Sequence, residues 1–297
     1  MMWLLLSVLS SMLLGAYDAA KKWSVRENAV PMVLLCSVSV GAALYLPLII
    51  LSNLDSVVAT RIVHELTWSQ HQLIFLKSAL VGLSWMLAFS ALKRLPLSVG
   101  APIRATSPLW TILIALLYFE ERPSLIQWIG IATVLVGFWR FTLVGRREGI
   151  HFRRDRSVAL MVLATLLGAC SSIYDKWLLQ SAKLDPTTLQ AWFTVYLVPV
   201  MVPLAVRWYH RDRSKQPFRW RRSIALISPL LIAADWFYFS ALADPEAMIS
   251  VVSVVRRSSV AIALVFGARA LQEANLRAKS VCVGIILVGV ALLTWHG

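Results

Sequence analysis

Apolar residues in this chain run in long blocks, and the charged residues gather in the short stretches between them. A helix that crosses a bilayer needs about 20 such residues. The pattern predicts ten spans, at 2–18, 29–51, 71–92, 97–119, 124–144, 157–179, 188–209, 223–242, 246–268 and 278–296, with almost nothing left for a soluble domain. The opening Met1–Leu14 block has the hydrophobicity of a signal peptide. It lacks a basic leading segment and nine further spans follow, so it reads as the first membrane helix.

Composition strengthens this picture. Apolar residues make up 59% and charged residues 15%, with a mean hydropathy of +0.71. Soluble domains average about 45–50% apolar and about 25% charged. An ordinary soluble enzyme, a disordered protein and a secreted disulfide scaffold are all excluded. Cys36, Cys170 and Cys282 lie inside apolar runs without metal-site spacing and read as small buried hydrophobes. The histidines form no HExxH-type pattern, so no metal or cofactor is expected.

The net charge of +14 acquires a meaning from its placement. Of 29 Lys and Arg, 21 fall in the odd-numbered connections, four in the even ones and four within spans. By the positive-inside rule the odd connections face the cytoplasm and both termini lie outside. The basic excess is then an orientation device, and no nucleic-acid partner is expected. In the first five spans the basic connections are the first and third, and in the last five the second and fourth. Such a reversal is what two five-helix units inserted in opposite senses require.

The chain also matches itself. Leu13-Leu14-Gly15-Ala16 returns as Leu166-Leu167-Gly168-Ala169, Lys22-Trp23 as Lys176-Trp177, and Phe89-Ser90-Ala91-Leu92 as Phe239-Ser240-Ala241-Leu242. At a common offset of 152, Pro47 falls on Pro199, Ser98 on Ser250, Arg104 on Arg256, Glu121 on Glu273 and Gly137 on Gly289. The predicted fold is an all-α integral membrane protein whose ten transmembrane helices form two inverted five-helix repeats, 1–147 and 148–297. Inverted repeats place a substrate site near the midplane, where the halves meet.

Candidate chemistry follows from charges within spans. Arg104, Arg256 and Arg257 lie inside spans four and nine. An Arg at a helix centre costs about 2.5–3.5 kcal/mol on insertion scales, so each must face a partner or a wet cavity. The repeat pairs Arg104 with Arg256 as substrate-binding residues on one cavity. Arg257, about 100° around the helix, goes to an ion pair or the cavity rim. Asp235, in span eight, is the natural counter-charge or carrier of a coupling proton, and the surplus of Arg favours an anionic group. Lys77 is set aside as close to a span end. Ser107 shares a face with Arg104, and Tyr238 shares one with Asp235, so both join the candidate lining. Trp85 and Trp236, which precede the two Phe-Ser-Ala-Leu copies, are candidate cavity aromatics. Glu121 and Glu273 read as solvated ion-pair residues at the interface, and Gly130, Gly137, Gly284 and Gly289 as packing residues that allow close helix approach.

The segment Ala101–Trp110, followed by Phe119-Glu120-Glu121-Arg122 and Gln127-Trp128-Ile129-Gly130, resembles the end of an EamA-type repeat of the drug/metabolite transporter superfamily. Ser171–Lys176 and Val255–Val260 resemble the corresponding parts of a second repeat. The resemblance implies a ten-helix permease that works by alternating access, often as an exporter of small metabolites. Many small multidrug relatives carry a membrane-embedded Glu in their first helix. Here the first span has none, and Asp18 sits at its end beside Lys21 and Lys22, which argues against a proton-coupled exporter of organic cations.

The expectation is therefore a secondary-active transporter, in the exporting direction, of a small anionic or zwitterionic metabolite, with protons as coupling ion. It is a non-enzyme in the cell (inner) membrane, with the bilayer and a small-molecule substrate as partners, and a homodimer is compatible. The alternatives are a membrane-embedded enzyme acting on a lipid or isoprenoid, or a non-transporting membrane partner. An enzyme of that kind would need paired acids or a His/Glu cluster at one membrane face, and the sequence has neither.

Overall fold

The computed structural model describes residues 2–25, 27–53, 62–92, 103, 106–118, 123–144, 156–259 and 276–294. Among them the helices are α1 (Met2–Val25), α2 (Val30–Asn53), α3 (Trp68–Leu92), α4 (Ser107–Tyr118), α5 (Leu125–Val144), α6 (Arg156–Lys176), α7 (Pro186–Arg211), α8 (Arg222–Ala243), α9 (Ile249–Arg257) and α10 (Leu276–Thr294). There is no strand among the described residues. Five stretches, Val30–Ser52, Trp68–Ala88, Arg156–Ser181, Pro186–Arg211 and Arg222–Ala243, are long and apolar enough to cross a membrane. Their outward sides carry large apolar residues such as Leu44, Phe75, Leu163 and Leu226, which need lipid as solvent.

Local chemistry sets the helix ends. Thr67 and Gln70 form a reciprocal capping box before α3: the Thr67 N–H donates to Gln70 Oε1 at 2.8 Å and the Gln70 N–H to Thr67 Oγ1 at 3.4 Å. Ser124 and Gln127 repeat the device at α5, with the Ser124 N–H donating to Gln127 Oε1 at 2.9 Å. At α7, Asp185 caps the Thr188 N–H at 2.8 Å and Pro186 takes the first helical position, where its missing N–H costs nothing. Helix α1 continues to Val25, beyond the predicted end at residue 18. Hydropathy marks where the apolar stretch stops, and a helix can extend past it into the polar interface. A π-helical turn, Trp177–Ser181, prolongs α6 and was not legible in the pattern.

Packing is chiefly between the halves. The most extensive contacts join α5 with α10, α1 with α8, α3 with α6, and α2 with α7; then come α3 with α7, α2 with α8, α4 with α6, α4 with α9, and α1 with α9. Exchanging each helix for the one five places along maps this set onto itself.

Single contacts obey the same exchange. A Cβ on Gly137 would lie 2.7 Å from Ile286 Cγ1, and one on Gly289 would lie 2.6 Å from Val134 Cγ2. The offset of 152 turns the first contact into the second. Ser84 Oγ donates to the Ala164 carbonyl at 2.8 Å, and Ser10 Oγ to the Ala234 carbonyl at 2.6 Å. The 150 positions from Phe89 to Phe239 carry Ser84 to Ala234. The same step carries Ser78, which donates to the Phe193 carbonyl of α7, to Ser228, which donates to the Ser37 carbonyl of α2.

Two expectations are corrected. Gly284 meets nothing within 4 Å of where a Cβ would stand, so it is not a close-approach residue. Cys170 is exposed and Cys36 half-buried, and only Cys282 is a buried hydrophobe. An apolar run does not reveal which of its faces turns to lipid.

The glycine geometry yields a test. At Gly289 an added Cβ would stand 2.8 Å from the Val134 backbone nitrogen and 2.9 Å from the Gly130 carbonyl oxygen, and neither can move aside. Gly289→Ala is expected to destabilise the protein by about 1–3 kcal/mol, as overpacking does. Gly284→Ala should be neutral or slightly stabilising, since Ala is the better helix former. Thermal unfolding of the two variants in detergent checks the contrast.

Candidate functional site

Charges buried where α3, α6, α8 and α9 meet form one connected chain. Lys77, ten residues into α3 and only 2% exposed, pairs its ammonium with Asp175 Oδ1 near the end of α6. The other oxygen of that carboxylate, Oδ2, accepts from the Tyr238 hydroxyl of α8 at 3.2 Å. The Arg256 guanidinium of α9 lies over the Tyr238 ring, 3.9 Å from its centroid. Arg256 Nη2 then donates to Asp235 Oδ1, one turn back along α8, at 2.6 Å.

Spacing explains why these residues can meet. Asp235 and Tyr238 are three apart on α8 and share a face, so one helix offers a carboxylate and a phenol to two partners. The Lys77 ammonium also stands 4.3 Å from the Phe193 ring centroid of α7 and 4.8 Å from that of Phe239. Such a cation–π contact is worth about 0.5–1 kcal/mol at an exposed site and about 2 kcal/mol when desolvated. A lone charge in hydrocarbon costs several kcal/mol, while a hydrogen-bonded pair recovers most of that.

Neighbouring polar groups brace the chain. Arg257 Nη2 donates to Ser107 Oγ of α4 at 3.0 Å. Thr111 Oγ1 donates to the Ser107 carbonyl at 3.2 Å. Ser11 of α1 shares a 2.9 Å hydrogen bond with Ser258, and Ser10 holds the carbonyl of Ala234, directly before Asp235.

Of the residues proposed from sequence, Arg256, Asp235 and Tyr238 come together in this chain, and Arg257 and Ser107 meet beside it. Trp85 packs against the main core with Lys21 over its ring at 5.6 Å. Trp236 is 40% exposed and donates to Thr187 Oγ1 at 3.2 Å, so it is no inward-facing aromatic. Arg104, Glu121 and Glu273 lie outside the described residues.

Lys77 corrects the reading from sequence: it belongs to the core and not to a span end. Asp175, its partner, stood in the sequence only as part of a family-like segment. One signal could have found both. Each is an ionisable residue inside an apolar run, and the opposite signs invited pairing.

A second polar feature lies at the end of α3. Ser52, His64, Glu65, Leu66, His71 and Trp192 line a cavity of about 220 Å³. His71 meets the Trp192 ring edge-on, with centroids 4.4 Å apart, and its Nδ1 lies 2.9 Å from the Tyr196 hydroxyl. Among the described residues no three His, Cys, Asp or Glu side chains cluster as metal ligands.

Comparison with known proteins gives three findings. The profile of the EamA-like transporter family matches residues 1–143 and again 155–295. No curated protein matches the chain. A crystal structure described only as that of a protein superposes with a TM-score of 0.68 at 16% identity, over 98% of this chain and 95% of its own, and so shares the fold.

The buried pair makes a stability prediction. Lys77→Met leaves Asp175 without its cation and is expected to cost about 3–5 kcal/mol. Lys77→Met combined with Asp175→Asn should recover a large part, because Asn still accepts from Tyr238. A thermal-unfolding comparison of single and double variants in detergent tests this, and a double variant no more stable than the single would refute it.

Proposed function

Because the chain belongs to the EamA-like transporter family, whose members are membrane transporters of the drug/metabolite superfamily, we propose that it is a secondary-active exporter of a small anionic or zwitterionic metabolite. It works by alternating access between two inverted five-helix repeats in the cell (inner) membrane, with both termini outside. One observation carries the reading: two opposite-charge pairs, Lys77–Asp175 and Arg256–Asp235, are linked through Tyr238 and contributed by helices of both repeats. Permanent structural bracing would be served as well by apolar packing of the same volume. Exchangeable ion pairs serve a protein that must hold a polar guest in oil and then release it.

The arithmetic of charge favours a zwitterion. A guest whose carboxylate takes the Arg256 guanidinium and whose ammonium takes Asp235 leaves no charge unpaired. A simple anion taking Arg256 would orphan Asp235 unless that carboxylate gained a proton. An ammonium and a proton therefore compete for Asp235, and their alternation couples outward guest movement to inward proton movement. Arg104 stands as the first-half counterpart of Arg256, while Arg257, held by Ser107, braces the rim.

Two experiments follow. Cells producing the protein should accumulate at least one amino- or carboxyl-bearing metabolite in the medium. Arg256→Ala at equal membrane abundance should abolish that efflux and Arg256→Lys retain part of it. Asp235→Asn should weaken exchange of labelled guest and abolish its response to a proton gradient. Unchanged efflux in Arg256→Ala would overturn the reading. For orientation, a cysteine-free background carrying Lys183→Cys should react with an impermeant maleimide in intact cells. The same background carrying Arg213→Cys should react only after permeabilisation.

A further inference from the structure

We propose that the cavity at the end of α3 is a second binding site, specific for an organic ammonium group, through which a guest passes on its way from the buried charge chain. The proposal extends the zwitterion reading above to another place on the guest's route, and its failure can be told apart from the failure of that reading. The site is built rather than incidental. Val63 is buried against Tyr45, Ile49 and Ala191, the His64 N–H donates to Thr188 Oγ1 at 3.0 Å, and the Thr67–Gln70 box closes the loop onto α3.

Its chemistry is that of an ammonium receptor. Trp192 and His71 supply aromatic surface, held in place by their edge-on contact and by the 2.9 Å link from His71 to Tyr196. Trp192 and Tyr196 are themselves 5.5 Å apart, so the rings form one braced wall. Glu65 supplies the carboxylate, and no described residue pairs with it or adds a Lys or Arg to the lining. Aromatic faces with one carboxylate are how proteins recognise ammonium ions. The volume of about 220 Å³ lies below the roughly 300–1,000 Å³ of sites for drug-sized ligands, so the guest is small.

Position ties this site to the buried chain. His71 precedes Lys77 by six residues on α3, about 9 Å along the axis. On α7, Trp192 lines the cavity while its neighbour Phe193 covers the Lys77 ammonium. An ammonium leaving Asp175 would thus find the next aromatic face, that of His71, within two helical turns along α3, with Glu65 beyond it on the loop before that helix.

The test uses the full chain in nanodiscs and tetramethylammonium as probe, read by saturation-transfer NMR titration, with acetate as the anion control. Saturable binding of tetramethylammonium and none of acetate is expected. Trp192→Leu should weaken it about two- to thirtyfold, the range of one cation–π contact. Glu65→Gln, at an exposed position that cannot compromise folding, should weaken it as well. Asp235→Asn, which removes a carboxylate of the central chain, should leave it unchanged. The proposal is overturned if the wild type shows no saturable binding or if Glu65→Gln binds like the wild type. It is also overturned if a folded Asp235→Asn protein loses binding, which would assign the probe to the central charges.

Discussion

Hydrocarbon cannot solvate a charge, and this constraint organises the molecule. Lys77, Asp175, Asp235 and Arg256 can lie inside the bundle only because each finds a partner there. The partners come from different helices, and Lys77–Asp175 joins the first half of the chain to the second. Fold and site are therefore not separable. Parting the helices would strand the charges, and removing the charges would leave apolar surfaces with less to specify their register.

The packing of the two halves is symmetric, and the chemistry between them is not. Gly137 on Ile286 repeats as Gly289 on Val134, and the serine-to-carbonyl bonds of α3 recur on α8. Yet the step of 150 that carries Ser78 to Ser228 carries Lys77 to Ile227, and it brings Asp235 back to Trp85. Backbone-level contacts between small residues survive in both copies because they decide how closely helices approach. Buried ionisable groups are costly, and Lys77 and Asp235 occur in one half only, where a partner exists. Helix packing is thus repeated between the halves, while the buried charges are not.

Much was legible before any coordinates. The ten apolar runs, the reversal of charge bias between halves and the matched motifs all follow from the single demand that a spanning segment be apolar and internally hydrogen-bonded. Asp235 and Arg256 stood out as intramembrane charges for the same reason. The glycines at 137 and 289 stood out because their spacing was repeated. None of these inferences needed to know which helix touches which.

Partnership and facing needed the tertiary structure. Hydropathy averages around a helix, so it could not tell that Cys170 and Gly284 turn outward or that Trp236 faces away from the charges. Nor could it show that Lys77 meets Asp175, 98 positions away, or that Tyr238 bridges the two ion pairs. The cavity beside His71 gathers residues from α2, the loop before α3, and α7, and no motif announces it. Sequence by itself determined the solvent of each segment, because transfer to lipid is a property of single residues summed along the chain. Only the folded bundle decided the pairing of charges, because an ion pair exists between surfaces that no one segment contains.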